Sequence, residues 1–180
     1  MSLPAAFLDR DGVINVDSGY VGQWEDFEYL PDAVEGLKQL QNAGFKLFVV
    51  TNQSGIARGY YTEDDFLALT KAMTADLSAK GVTLAAVYYC PYLEDADLEP
   101  YRVASYLRKP EPGMLLKAAQ DHDIDVSRSI MVGDKVSDMV AAKRAGVPGR
   151  YHVTEGRPHD ASTRVSSLLE AALEATKSSA

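Results

Sequence analysis

This chain of 180 residues is poor in several things that would each imply a different kind of protein. It has one cysteine, Cys90, which excludes an intrachain disulfide and a multi-cysteine metal site. That fits a reducing compartment, and a cytoplasmic location is expected. Glycine (13) and proline (8) are too few for a low-complexity or collagen-like chain. No apolar run approaches the ~20 residues that span a bilayer. The opening MSLPAAFLDR lacks a basic stretch followed by a long apolar one, so neither a secretory leader nor a membrane partner is expected. Lysine and arginine (18) are outnumbered by aspartate and glutamate (26), giving a net charge of −8, and they form no run. A nucleic-acid partner would call for a basic face or groove, so none is expected.

What is present is an ordinary apolar fraction, 46%, arranged as short apolar runs alternating with helical periodicity. Ala5–Leu8, Phe45–Val50, Leu84–Tyr89 and Ser129–Val132 read as buried strands, and Arg150–Val153 as an edge strand. Between them, Asp32 is placed to cap a helix bearing Val34, Leu37 and Leu40, with Gly44 as its stop. Thr62 and Asp65 form a capping-box variant opening a helix with Phe66, Leu69, Met73 and Leu77 on one face. Gly113–Asp121, Val136–Ala145 and Val165–Ala175 complete the helices, the last carrying Leu168, Leu169 and Leu173, and Lys177–Ala180 is expected to fray. Alternating strands and helices predict an α/β fold: a doubly wound, Rossmann-like parallel sheet with helices on both faces, in one domain spanning 1–180.

In such sheets ligands bind beyond the carboxyl ends of the strands. Three of the apolar runs end in polar groups suited to phosphate or metal: Asp9-Arg10-Asp11-Gly12, Thr51-Asn52-Gln53-Ser54-Gly55, and Gly133-Asp134-Lys135 with Asp138 beyond. Arg108-Lys109-Pro110 precedes the helix before the third. Asp-x-Asp-Gly alone is more often a turn or a calcium-type loop, and the other two alone are usually a polar loop and a turn. Their joint placement after three buried strands is what points to chemistry. Asp9, Asp11 and Asp134 could converge, and clustered carboxylates repel unless a cation sits among them; hard oxygens suit Mg²⁺. A carboxylate can also be a covalent nucleophile whose neighbour protonates the leaving oxygen and then activates water. The Thr51 hydroxyl and the Lys109 cation suit a phosphoryl group.

These residues resemble the haloacid dehalogenase-like phosphatase superfamily over roughly Phe7 to Gly146. More narrowly, Phe7–Asn15, Val49–Gly59, Tyr88–Pro91, Arg108–Leu116 and Met131–Asp138 are similar to its heptose bisphosphate phosphatase family, with histidinol-phosphate phosphatase as the sister family. The resemblance implies Asp9 as nucleophile and Asp11 as general acid/base. It implies Mg²⁺ held by Asp9, Asp134 and the main-chain carbonyl of Asp11, and the phosphoryl group held by Thr51 and Lys109. It implies Asn52, Gln53 and Arg108 lining the substrate site. Arg58 is either a second-phosphate or sugar contact or a surface ion pair. Asp138 either meets a metal-bound water or caps its helix. The implied reaction is hydrolysis of the C7 phosphate of a heptose 1,7-bisphosphate through an aspartyl-phosphate, in heptose supply for surface polysaccharide; the alternatives are histidinol phosphate and a nucleic-acid 3′-phosphate.

Two features bear on that expectation. The segments 13–30 and 55–89 leave no room for a folded cap, so an open site and a monomer are expected, with a phosphorylated sugar as the small-molecule partner. The resembling families carry a structural zinc on Cys-x-His and Cys-x-Cys, whereas here the pairs read Cys90-Pro91-Tyr92 and Ser105-Tyr106-Leu107. Zinc needs a closed set of N and S donors, so no structural zinc is expected. Cys90 then reads as a small buried residue, with Tyr92, Leu93, Leu98, Tyr101 and Tyr106 packing together to order the loop. Trp24, Phe27 and Tyr29 read as packing residues. His122, His152 and His159 lie outside the motifs and receive no catalytic role.

Overall fold

The structure, a computed structural model, describes residues 1–177. Six strands, β1 (Ala5–Leu8), β2 (Lys46–Asn52), β3 (Leu84–Cys90), β4 (Ile130–Gly133), β5 (Gly149–Val153) and β6 (Thr163–Val165), form one parallel sheet in the order β3-β2-β1-β4-β5-β6. The helices are α1 (Ala33–Asn42), the single turn α2 (Ser54–Ala57), α3 (Glu63–Ala79), α4 (Gly113–His122), α5 (Val136–Ala145) and α6 (Leu168–Lys177). Strand residues alternate between two cores. Ala6, Leu8, Leu47, Val49 and Val132 meet Leu37 and Leu40 of α1, Leu69, Met73 and Leu77 of α3, and Leu168 and Ala172 of α6. Ala5, Phe7, Phe48, Val50 and Met131 meet Met114, Leu115 and Ala118 of α4 and Met139 and Ala142 of α5 on the other face. This is a doubly wound, Rossmann-like sheet, with no large cap among the described residues. Strands β1 and β4 are buried along their whole length, as strands covered on both faces are.

The capping box forms as read: the Asp65 N–H donates to Thr62 Oγ1 at 3.0 Å and the Thr62 N–H to Asp65 Oδ2 at 2.9 Å. Three local expectations differ. Asp32 precedes α1 but adopts φ 62°, and its side chain caps nothing. The segment 150–153 is not an edge: β5 pairs with β4 and also with β6, which takes the edge. Because Thr163–Val165 is extended, the closing helix begins only at Leu168, and this register leaves Leu173 48% exposed. Lys177 is the last helical residue, and the rest of the expected fraying end, 178–180, lies outside the described residues.

The loop between β3 and α4 is not ordered by one apolar cluster. Tyr92 and Tyr101 face each other with ring centroids 6.3 Å apart, but Leu98 and Tyr106 are exposed. Hydrogen bonds hold it instead. Glu63, at the start of α3, accepts the hydroxyls of Tyr89 and of Tyr101, the latter at 3.1 Å. The Leu93 N–H donates to the Tyr101 carbonyl at 3.0 Å, and Arg102 Nε to the Ala96 carbonyl at 2.8 Å. Cys90 is buried, and burial raises its thiol pKa. Trp24, Phe27 and Tyr29 stack in series, with centroids 5.0 and 5.1 Å apart, and pack against the first core.

Candidate active site

The central order β2-β1-β4 places the three polar strand ends side by side. A cavity of 610 Å³ opens there, lined by Asp9, Asp11, Asn52, Gln53, Arg108, Lys109, Lys135 and Asp138, with Asp17, Tyr20 and Tyr61 on the side of the first loop. Two glycines make the crowding possible. Gly12 has φ +86°, and a Cβ there would lie 2.2 Å from Asp134 Oδ2. A Cβ on Gly133 would lie 2.3 Å from that of Asp138.

At the floor, Lys109 Nζ is 3% exposed and donates to Asp9 Oδ1 at 3.0 Å, Asp138 Oδ1 at 2.6 Å and the Val50 carbonyl at 2.8 Å. Burial alone would lower the Lys109 pKa, but Asp138 and Asp9 outweigh it and hold the ammonium protonated. Asp138 settles between its two sequence-level readings by spending both oxygens on the protein, since Oδ2 accepts the Lys135 N–H at 3.0 Å as a helix cap. Burial, then Asp138, raises Asp9 to about 6 against the pull of Lys109. Burial, then Asp9, raises Asp134 to about 7.

Carboxylate oxygens of Asp9, Asp134 and Asp138 lie within 4.8 Å of one another. Asp134 Oδ1 is buried with no hydrogen-bond partner. An orphaned buried acceptor beside a second carboxylate of raised pKa fits a hard divalent cation. Asp9 and Asp134 could supply its donors, because Asp138 is already engaged. The sequence passed over His152: it is buried, its Nδ1 accepts the His159 N–H at 3.1 Å, and its Nε2–H therefore donates to the Asp134 carbonyl at 3.1 Å.

Asp11 is held from two sides. Its Oδ1 accepts from Arg10 Nη2 (2.9 Å), Arg10 Nε (3.2 Å) and Asn15 Nδ2 (2.9 Å), and its Oδ2 accepts from Gln53 Nε2 (3.2 Å). Asn52 uses both ends of its amide on the backbone of Lys109, at 3.0 Å each. Thr51 is fully buried, and its hydroxyl accepts from Gln53 Nε2 at 2.9 Å. Thr51, Asn52 and Gln53 thus reach the site with their polar atoms already paired to the protein. Arg58 is not among the cavity residues; its guanidinium lies over the Tyr20 ring at 5.8 Å, on the rim. Arg108 does line the cavity, and its buried Nη1 has no partner. It also borders a second hollow of 770 Å³ formed by residues 93–95 and 103–111. Arg10, Asn15, Tyr61 and Lys135 were not assigned roles from sequence. Arg10 and Asn15 sit inside the first motif and could have been suspected; nothing local marks Tyr61.

The HAD-hydrolase-like family matches residues 106–172. D-glycero-beta-D-manno-heptose-1,7-bisphosphate 7-phosphatase of Photorhabdus laumondii is 46% identical over 156 residues, covering 87% of this chain and 83% of its own. That of Escherichia coli K12 is 47% identical over 157 residues, covering 87% and 82%. The crystal structure of a D,D-heptose 1,7-bisphosphate phosphatase from B. bronchiseptica, complexed with magnesium and phosphate, superposes with a TM-score of 0.85 at 28% identity, covering 98% of this chain and 99% of that one. Identity at this level over most of both chains, on the same fold, means that this protein belongs to the D-glycero-beta-D-manno-heptose-1,7-bisphosphate 7-phosphatase family of HAD-like hydrolases.

Proposed function

We propose that this protein is a Mg²⁺-dependent phosphatase that removes the C7 phosphate of D-glycero-beta-D-manno-heptose 1,7-bisphosphate through an aspartyl-phosphate. Asp9 attacks phosphorus; the bond from phosphorus to O7 breaks, its electron pair stays on O7, and Asp11 supplies the proton. Asp11 then takes a proton from water as the water oxygen attacks the same phosphorus, releasing inorganic phosphate and restoring Asp9. Mg²⁺ on Asp9 and Asp134, with the Asp11 carbonyl as the third protein donor, would neutralise phosphoryl charge. Lys109 gives its three N–H groups to Asp9, Asp138 and the Val50 carbonyl, so it screens Asp9 and acts on the phosphoryl charge as a neighbouring cation. Thr51 supports the site through Gln53, whose amide its hydroxyl accepts.

The observation that carries the bisphosphate reading is Arg108. Arg108 lines the cavity together with Lys109, and a buried nitrogen of its guanidinium lacks any partner. A second phosphate is the ligand that completes it, because the planar fork grips phosphate oxygens in pairs. Histidinol phosphate instead brings an ammonium and an imidazole to that end, which the guanidinium disfavours. A 3′-phosphorylated nucleic acid would need a basic track, against a net charge of −8. Among the described residues no helix is long and apolar enough to cross a membrane. A cytoplasmic monomer without structural zinc, consisting of one domain and serving heptose supply for lipopolysaccharide or capsule, completes the proposal. A panel of phosphate esters with purified protein and Mg²⁺ tests it. The heptose 1,7-bisphosphate is expected to show the highest kcat/KM, and equal or better turnover of histidinol phosphate rejects the substrate while leaving the chemistry intact.

A further inference from the structure

Tyr61 lies far from Asp11 in the chain, just after α2, yet its hydroxyl reaches Gln53, the residue that supports Asp11. Gly22 and Gly55 make the slot it occupies. A Cβ on Gly22 would lie 2.4 Å from the Tyr61 ring, and one on Gly55 would lie 2.3 Å from it. The ring is buried, and its hydroxyl donates to Oε1 of Gln53. Burial raises the Tyr61 pKa well beyond the ordinary phenol range, so it remains a donor.

The consequence runs through the Gln53 amide. Gln53 turns its NH₂ end to Asp11 Oδ2, which has a lone pair to accept that N–H whether or not it carries the proton it transfers. Gln53 Nε2 then serves Asp11 Oδ2 and Thr51 Oγ1, and Oε1 is left facing the Tyr61 hydroxyl. On Asp11, Oδ1 already accepts three N–H groups, from Arg10 and Asn15, and has no direction left for a proton. Oδ2 accepts one and keeps one free.

We propose that Tyr61 is a positioning residue for proton transfer: its hydroxyl locks the Gln53 amide, the amide aims the Asp11 carboxyl, and Oδ2 is the oxygen that gives its proton to the leaving alcohol. This rests on the aspartyl-phosphatase reading. In the step concerned, the Asp9 oxygen forms a bond to phosphorus, the bond to the leaving oxygen breaks with its electron pair, and the proton passes from Asp11 Oδ2 to that oxygen. Without the hydroxyl, Gln53 Oε1 is buried and unpaired. The amide then turns toward the Thr51 hydroxyl, which can also donate, and Asp11 Oδ2 loses its guide.

The test compares Tyr61→Phe with wild type on two leaving groups, using kcat/KM because it reports the steps up to loss of the alcohol. p-Nitrophenol departs as a phenolate without a proton, whereas an alkoxide needs one. Positioned acids contribute 10²–10⁴-fold, so the variant is expected to lose about 10-fold on the best alkyl phosphate and less than about 2-fold on p-nitrophenyl phosphate. Equal losses on both substrates, or no loss on the alkyl ester, overturn the proposal. Should Tyr61→Phe lack a cooperative unfolding transition, Gln53→Met must show the same selective loss, and an unselective one overturns it. Wild-type protein that cleaves another alkyl phosphate as well as or better than the heptose ester rejects only the substrate reading and leaves this comparison in force. Wild-type protein that cleaves no phosphate ester overturns both.

Discussion

Replacing Lys109 with Met keeps most of the aliphatic stem and removes the charge from the centre of the site. The ammonium makes contacts of 2.6, 2.8 and 3.0 Å to Asp138, Val50 and Asp9 from a fully enclosed position. Breaking a buried ion pair by deleting one partner costs about 3–5 kcal/mol, because the other charge stays buried and uncompensated. For a chain of this size each kcal/mol shifts Tm by roughly 2–4 °C, so a fall of roughly 6–20 °C is expected in EDTA. The loss must also depend on pH. Asp9 already stands at about 6, above its ordinary 3.8, while Lys109 is pulling it down, so removal of the cation lifts it further. A carboxyl whose folded pKa exceeds its unfolded one binds the proton more tightly when folded. Its penalty is therefore absent at low pH and grows as pH rises from 3.8 through about 6 and beyond. Urea titration of both proteins in EDTA should show the full deficit at about pH 8 and a smaller one at about pH 5. A deficit under about 1 kcal/mol at the higher pH, or one that does not change with pH, refutes the buried-bridge argument.

Asp9→Asn should abolish turnover while keeping a cooperative unfolding transition, since an amide is a poor nucleophile; Asp11→Asn should lose about 10²–10⁴-fold, measured as kcat on the preferred ester. EDTA should stop activity and Mg²⁺ restore it, and elemental analysis should find no stoichiometric zinc; one zinc per chain bound near Cys90 would show that the loop is held differently. Arg108→Ala should narrow the preference for the heptose bisphosphate over histidinol phosphate by about 2–5 kcal/mol in kcat/KM, the cost of truncating a buried charge pair, and an unchanged ratio would move the second phosphate elsewhere.

Local pattern carried much of this protein. The apolar runs 5–8, 45–50 and 84–89 and the faces of α1 and α3 are set by side-chain periodicity over neighbouring residues, which sequence displays directly. The same pattern put Asp9, Asp11 and Asp134 after the carboxyl ends of the adjacent central strands β1 and β4, where the topology itself gathers such groups, while Lys109 reaches Asp9 from the loop before α4. Tertiary structure alone decided the matters that depend on which distant atom a side chain meets. Thr163–Val165 has no apolar alternation to announce a strand, and only pairing with β5 makes it one. Asp138 could cap or reach metal water until Lys109 arrived to take its second oxygen. The amides of Asn52 and Gln53 looked free for substrate, but the Lys109 backbone, Asp11, Thr51 and Tyr61 occupy them. A hydrogen bond is satisfied by whatever the packed chain delivers within about 3 Å, and that choice is made by the fold as a whole.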